Sequence, residues 1–411
     1  MHRAFGANGL KTIGRGYQSP PEPATCGIGH SVPQNLPSFF EEKTMKTFYL
    51  RHKGLHRWLL VNAAVLLLFF LLRGHRPVMN ALAARVTLPF ERAMAALCAL
   101  VPFSVAELCY VLLVIGAAVF LVGSFLRIRR AEHKGQAAYR RALTLVNVAL
   151  SIYAAFCLLW GTNYYIDDFC DRSGIKPAPV AYEDLVRVTR YFADGVSACA
   201  EDVPRNTDGT FAVPREDILA CATEIYGPLY DEFPFLRIPE HAPKPMFFSR
   251  FMSAMNFTGF YFPYTGEANL NMDFPAATLP ATVAHELAHR RGIASEQQCN
   301  FISILACTRS DNAAYRYAGW LSGYIHLSNA LYRVNPELWR EIRAGLPESV
   351  QADLHAANEY WAQFEGAPAK VSNKVYDGML KSYGDTLGMQ SYGAVVDLLV
   401  VYYLPQTYCK I

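Results

Sequence analysis

Leu279-Pro280-Ala281-Thr282-Val283-Ala284-His285-Glu286-Leu287-Ala288-His289-Arg290-Arg291-Gly292 is the stretch that decides how the chain is read. Its centre carries the HExxH pattern. On a helix, positions four apart share a face, so His285 and His289 offer two imidazole nitrogens to one metal ion. Glu286 lies about 100° round from His285. There it is free to hold and deprotonate a metal-bound water without being a ligand itself. This is the donor arrangement of zinc hydrolases. The alternative is a surface helix that happens to carry two histidines. Val283, Ala284, Leu287 and Ala288 argue against it, because they make the helix buried, and buried imidazoles and carboxylates need partners. Zn2+ supplies them.

A third ligand is expected just downstream. Gly292 suits a helix stop, with Arg290 and Arg291 in the last turn. Ser295 reads as the N-cap of the next helix and, with Gln298, matches a capping box. Glu296 falls in the first turn of that helix, where the chain has just reversed, and its carboxylate faces back to the two histidines. Asn300, four residues on, shares that face and is placed to bond a ligand from behind. Ser295 stands where the longer HExxHxxGxxH pattern needs a third histidine, so that pattern is not met.

The rest of the chain points to a membrane. Hydrophobic residues make up 52% of its 411 residues and charged ones 18%. Three apolar runs stand out: Trp58 to Leu72, Val105 to Leu126 with the single charge Glu107, and Ala142 to Gly161 with none. Their lengths and basic flanks fit spans across a roughly 30 Å core. Lys46, Arg51, Lys53 and Arg57 precede the first run. A dense basic group from Arg127 to Arg141 joins the second and third, and Asp167, Asp168 and Asp171 follow the third. The positive-inside rule then puts the N-terminus in the cytoplasm and the HExxH region outside. The net charge of +3 is accounted for by these flanks, and there is no nucleic-acid patch. Arg73-Gly74-His75-Arg76 follows the first run without a small-residue cleavage pattern, so it reads as an uncleaved anchor.

Three regions result. Residues 1–45 are rich in Gly, Pro and Ser and are expected to be a disordered extension. Residues 46–165 form the membrane part, with helices at about 57–73, 105–126 and 142–161. Residues 166–411 form the outer domain. Between the first two spans, Met79 to Leu88 and Glu91 to Leu100 read as short interfacial helices. In the outer domain, Tyr182 to Val196 and Arg215 to Tyr226 have helical spacing. Prolines from 228 to 245 mark an irregular connection.

Phe260-Tyr261-Phe262 has strand composition, Pro263-Tyr264-Thr265-Gly266 reads as a turn, and Glu267 to Asn271 alternates like a half-buried strand. This hairpin is expected to wall a substrate cleft, with Tyr261, Glu267 and Asn269 as candidate lining residues. Helices are expected again at Asp311 to Leu331 (capped by Asp311), Pro336 to Ala344, Glu348 to Phe364, Asn373 to Tyr383 and Gly393 to Tyr403. Tyr392, Tyr376 and His326 are candidates for a late oxyanion donor. Of the ten cysteines, Cys199 and Cys221 are the best disulfide pair, with buried free thiols as the alternative. No CxxC occurs, so a cysteine zinc site is not supported.

With these residues laid out, the chain resembles a bacterial membrane family called domain of unknown function 3810. The matching pieces are Trp160-Gly161-x-Asn163-Tyr164, Gly259-Phe260-Tyr261-Phe262-Pro263 with Gly266-Glu267-Ala268-Asn269-x-Asn271, Leu279-Pro280 leading to the HExxH and Gly292, and Ser391-Tyr392-Gly393 with Asp397-Leu398-Leu399. They extend over about residues 50 to 405. The family tends to have Glu-x-Glu-Ala-Asn-Phe after the motif helix. Here Glu296 keeps the first glutamate, and Gln298 replaces the second.

The resemblance implies a mostly α chain: three N-terminal transmembrane helices, then an α+β zincin-like extracytoplasmic domain with a small sheet beside the HExxH helix. By analogy with zinc peptidases that carry a later Glu-x-x-Ala-Asp, it also gives Glu296 the ligand role and Asn300 the supporting one.

The expected function is a multi-pass metallopeptidase of the bacterial plasma membrane. His285, His289 and Glu296 hold Zn2+, and Glu286 is general base towards a zinc-bound water. The expected partners are the lipid bilayer and a peptide or protein substrate. The alternative is a membrane sensor with a structural metal site and no turnover.

Overall fold

The computed structural model describes residues 47–383 and 391–408, with side chains from 395 onward in the second stretch. The expected extension 1–45 lies outside the described residues. Residues up to His52 and those from Lys53 form two separate units. In the first, residues 47–51 are helical.

The second unit is mostly helical, with a small mixed three-stranded sheet. Three helices are long and apolar enough to cross a membrane: Lys53–Leu72, Val105–Arg130 and Lys134–Leu159. Each begins or ends within a few residues of the apolar runs in the sequence. The first and third pack on each other through a buried polar seam. Asn62 donates to the carbonyl of Asn147 (3.1 Å), and Asn147 donates to that of Leu55 (3.0 Å). Such bonds matter where no water competes. The second span is almost uncovered by protein. Its first turn is capped by Ser104, whose hydroxyl accepts from Glu107 N (3.0 Å).

The link between the first two spans is more than two short interfacial helices. Arg76–Leu82, a π turn Ala83–Thr87 and Leu88–Cys98 run on almost without a break. Met79, Ala83, Thr87, Glu91, Ala95 and Cys98 are buried, roughly every fourth residue, so a single face lies against the protein.

Beyond the third span comes the main helical core. Tyr182–Cys199, Leu279–His289, Glu296–Thr308, Ala313–Val334 and Ser391–Thr407 bury one continuous apolar cluster that includes Phe192, Leu287, Phe301 and Tyr403. Each fully buried Leu or Phe contributes about 1.5–3 kcal/mol over leaving it exposed. Most expected helices are present, with shifted ends. The segment from Arg215 is helical only to Ala220, and the late helix starts at Ala367 rather than Asn373.

Three local expectations are corrected. Asn312, not Asp311, caps Ala313–Val334, because its side chain accepts from Ala314 N and Tyr315 N. Ser295 sits at the N-cap of Glu296–Thr308 but makes no side-chain cap bond. Gln298 instead reaches back to the segment after the third span, donating to Asp168 (2.7 Å) and accepting from Phe169 N (3.0 Å). Cys199 and Cys221 are both free thiols. Asn312 is bonded to the Cys221 sulfur (3.4 Å), in place of a disulfide.

The hairpin is as expected: β2 Gly259–Phe262 pairs antiparallel with β3 Glu267–Leu270. A two-residue strand from the proline-rich connection, β1 Lys244–Pro245, adds in parallel on the far side. The order is β1-β3-β2, so β2 is an edge strand.

Candidate metal centre

The motif helix Leu279–His289 is buried almost all round, down to Glu286 and His289. Pro280 in its first turn needs no intrahelical donor. Gly292 ends it with φ +79, a conformation that favours glycine. The two arginines of the last turn are buried rather than solvated. Arg291 donates to Leu236 O (2.9 Å) and Leu287 O (2.7 Å), pairs with Glu240 and lies over the Tyr226 ring at 3.6 Å. Arg290 donates to His241 O (2.8 Å) and Pro239 O (3.2 Å). The irregular connection is thereby fastened to the end of the motif helix.

After the reversal at Gly292, the next helix presents Glu296 to the histidines. Glu296 Oε2 is 3.1 Å from His285 Nε2, and Oε1 is 3.6 Å from His289 Nε2. One ligand atom from each of the three residues lies within 4.8 Å of the others. The far sides of both rings are engaged. His285 Nδ1 donates to Asn300 Oδ1 (2.9 Å), and His289 Nδ1 to Ile293 O (2.8 Å). A carbonyl only accepts, so the proton of each ring is on Nδ1 and Nε2 keeps a bare lone pair. Two lone-pair nitrogens and a carboxylate oxygen therefore converge in a buried pocket. Glu296 Oε2 is buried without an aligned hydrogen bond. Such a set repels itself unless a cation lies among it.

The electrostatics agree with that donor set. Burial alone would raise Glu296, but the two histidines and the Tyr376 hydroxyl outweigh it and hold the carboxyl down at about 2. Burial lowers His289 to about 4, so it is neutral, as a ligand must be. Burial also lowers His285, but the Glu296 carboxylate 3.1 Å from its Nε2 outweighs this and raises it, so the pocket favours added positive charge here. Glu286 differs: burial pushes its carboxyl up to about 8, and its Oε2 is buried without a hydrogen-bond partner. The site thus holds one ionised carboxylate and one with high proton affinity, side by side.

Of the other expected residues, Asn300 holds His285 in place. Tyr376 donates to Glu296 Oε1 at 2.5 Å. Tyr261 and His326 line the same cleft of about 1110 Å³ as the histidines and Glu286. The side chain of Tyr392 lies outside the described residues. Glu267 and Asn269 do not line that cleft; they hold the start of the second span. Glu267 accepts from Val105 N (3.1 Å), Ala106 N (2.8 Å) and Thr265 Oγ1 (2.8 Å), and Asn269 accepts from Ser104 (2.6 Å).

Gly259 and Trp160 are site residues that reasoning from the sequence missed. A Cβ on Gly259 would lie 2.6 Å from Glu286 Oε1, so a side chain on the edge strand here would displace that carboxylate. Trp160, the residue after the third span, packs its ring edge-on against His289 at 5.4 Å. Both fall within pieces that carried the family resemblance, but nothing in their spacing ties them to the motif.

The model of the family described as "Protein of unknown function (DUF3810)" matches residues 86–400. The chain belongs to that family. The matched residues take in the second and third spans, the hairpin and the cluster of His285, His289 and Glu296, and leave out the first span. No curated protein and no solved structure matches the chain.

Proposed function

We propose that this member of the family is a membrane-anchored, zinc-dependent metallopeptidase with a zincin-like site, in which Glu286 is the general base. The observation that carries the reading is the convergence of His285 Nε2, His289 Nε2 and Glu296 Oε2, each presenting a lone pair, beside a separate buried carboxylate. His285, His289 and Glu296 would hold the ion. When bound, zinc supplies a Lewis acid that polarises the scissile carbonyl and acidifies water. The remaining work falls to the chain. Asn300 and Ile293 fix the two imidazoles, and Tyr376 steadies Glu296. Glu286 accepts a proton from the attacking water and returns it to the leaving amine. The edge strand β2, running past Glu286, offers its backbone to an extended substrate. The basic flanks support a cytoplasmic N-terminus and a site on the outer side of a bacterial plasma membrane.

A sensor with a purely structural metal has no use for the unpartnered Glu286 carboxylate beside the ligands. The test is Glu286→Gln in the full chain, purified in detergent and assayed on mixed quenched peptides. Metal content should stay unchanged and turnover should fall by about 10²–10⁴-fold. Full activity in that variant, or no cleavage by zinc-loaded wild type, would overturn the reading.

A further inference from the structure

The cleft that holds the metal ligands has a second wall, made by a membrane-spanning helix. Tyr110, Val111, Val114 and Ile115 of Val105–Arg130 line it opposite His285 and Glu286. At 1.5 Å per residue, Ile115 is roughly 15 Å along that helix from Val105. That is about half of a 30 Å hydrocarbon core. The cleft therefore continues from the metal ligands down the face of a span that protein leaves almost uncovered.

The hairpin follows the same path. Gly259, at one end of β2, lies against Glu286. Phe262, at the other end, packs on Tyr110 with ring centres 5.2 Å apart. Past the turn, Tyr264 donates to Ile152 O in the third span at 2.9 Å. Ile152 precedes the end of that span by seven residues, so the contact lies roughly 10 Å below it. The ligands themselves sit near the level where the spans end, since Trp160 follows the third span directly and touches His289. Two exposed apolar side chains rim the cleft, Phe248 (48%) and Phe251 (66%), and Phe247, exposed by 85%, stands next to them. Glu107, in the first turn of the second span, accepts from the backbone N–H of Phe247 (3.0 Å) and Phe248 (2.8 Å) and fixes this rim against the start of that span.

We propose that the substrate is a membrane-tethered polypeptide, cut within a few residues of its own membrane-spanning apolar segment and entering sideways from the bilayer. The inference rests on the peptidase reading and names the substrate class of that site. β2 offers a free backbone edge, which suits a polypeptide rather than a lipid chain. Its four residues cover about 10 Å from the base to the span. A strand paired along it has its scissile bond at Glu286 and its continuation beside Val111 and Val114, in the hydrocarbon.

The test uses the full chain, zinc-loaded and reconstituted in phosphatidylethanolamine–phosphatidylglycerol vesicles. The probes are mixed-sequence polar peptides fused to a Leu/Ala segment of about 20 residues, long enough to span. The same peptides without that segment, and versions with polar spacers of increasing length before it, complete the set. Products are mapped by mass spectrometry. The expected result is cleavage clustered within about four residues of the apolar segment, the length of β2. That position should be kept as the spacer grows, and tethered peptides should be cut at least tenfold faster, on the order of what effective concentration gives. Two outcomes would overturn membrane entry and leave the peptidase reading standing: cut sites that follow local sequence regardless of distance from the segment, or untethered peptides cut equally well. Cleavage of neither set would remove the peptidase reading and this inference with it.

Discussion

The two ends of the cleft are built in opposite ways. At the metal end, the converging atoms lie between His285 and Glu296, and both imidazoles are held by neighbours close in sequence, Asn300 and Ile293, with Tyr376 reaching Glu296 from further along the chain. At the membrane end, the parts come from far apart. Glu267 and Asn269 hold Val105, Ala106 and Ser104 across more than 160 positions. Tyr264 reaches the third span across 112. The first end is a short-range device whose chemistry is set by donor atoms. The second is an assembly that brings the edge strand and the helix Val105–Arg130 together beside the first.

Substitutions at the two ends should therefore differ in kind. Gly259→Val, where the ends meet, should have the largest effect among changes outside the ligands and base. Its side chain displaces Glu286, and a misplacement of about 1 Å costs on the order of 10²-fold in turnover. Bound metal should be unchanged, measured as kcat beside metal content. Loss of the metal in this variant would mean that the strand supports the ligands as well as the base.

Asn300→Ala frees the His285 ring and should weaken metal affinity by about 10–100-fold, read by competition with a chelating dye. Tyr376→Phe removes one hydroxyl from Glu296 Oε1 and should shift the same affinity in the same direction by less, about tenfold at most. Glu267→Gln acts only at the membrane end. It weakens the carboxylate that caps the second span and should lower stability by about 1 kcal/mol, seen as a fall in Tm in detergent. Metal affinity should not move. A loss of metal in Glu267→Gln would break the separation of the two ends.

This contrast also explains what the sequence could be read for. The HExxH face, the Gly292 stop and Glu296 in the next turn are patterns within one helical period or one reversal, and they need no knowledge of the rest of the fold. The three spans are composition over about 20 residues. The hairpin was legible too, because alternation and a glycine turn are local. Which way its side chains faced was not. Glu267 and Asn269 look like cleft residues until the start of the second span is seen to take them. Gln298 matches a capping box, yet a partner 130 positions away claims it. Gly259 gives no chemical signal, since its role is to have no side chain. The two-residue strand Lys244–Pro245 is too short for any periodicity to show.

The most direct test of the central claim is metal content, measured by mass spectrometry on the full chain in detergent after dialysis against zinc. The His289→Ala and Glu296→Ala variants are measured alongside. The expected result is one zinc per wild-type chain and near-complete loss in both variants, with the helical circular dichroism retained. A folded wild-type chain that stays metal-free, or variants that keep their zinc, would contradict it.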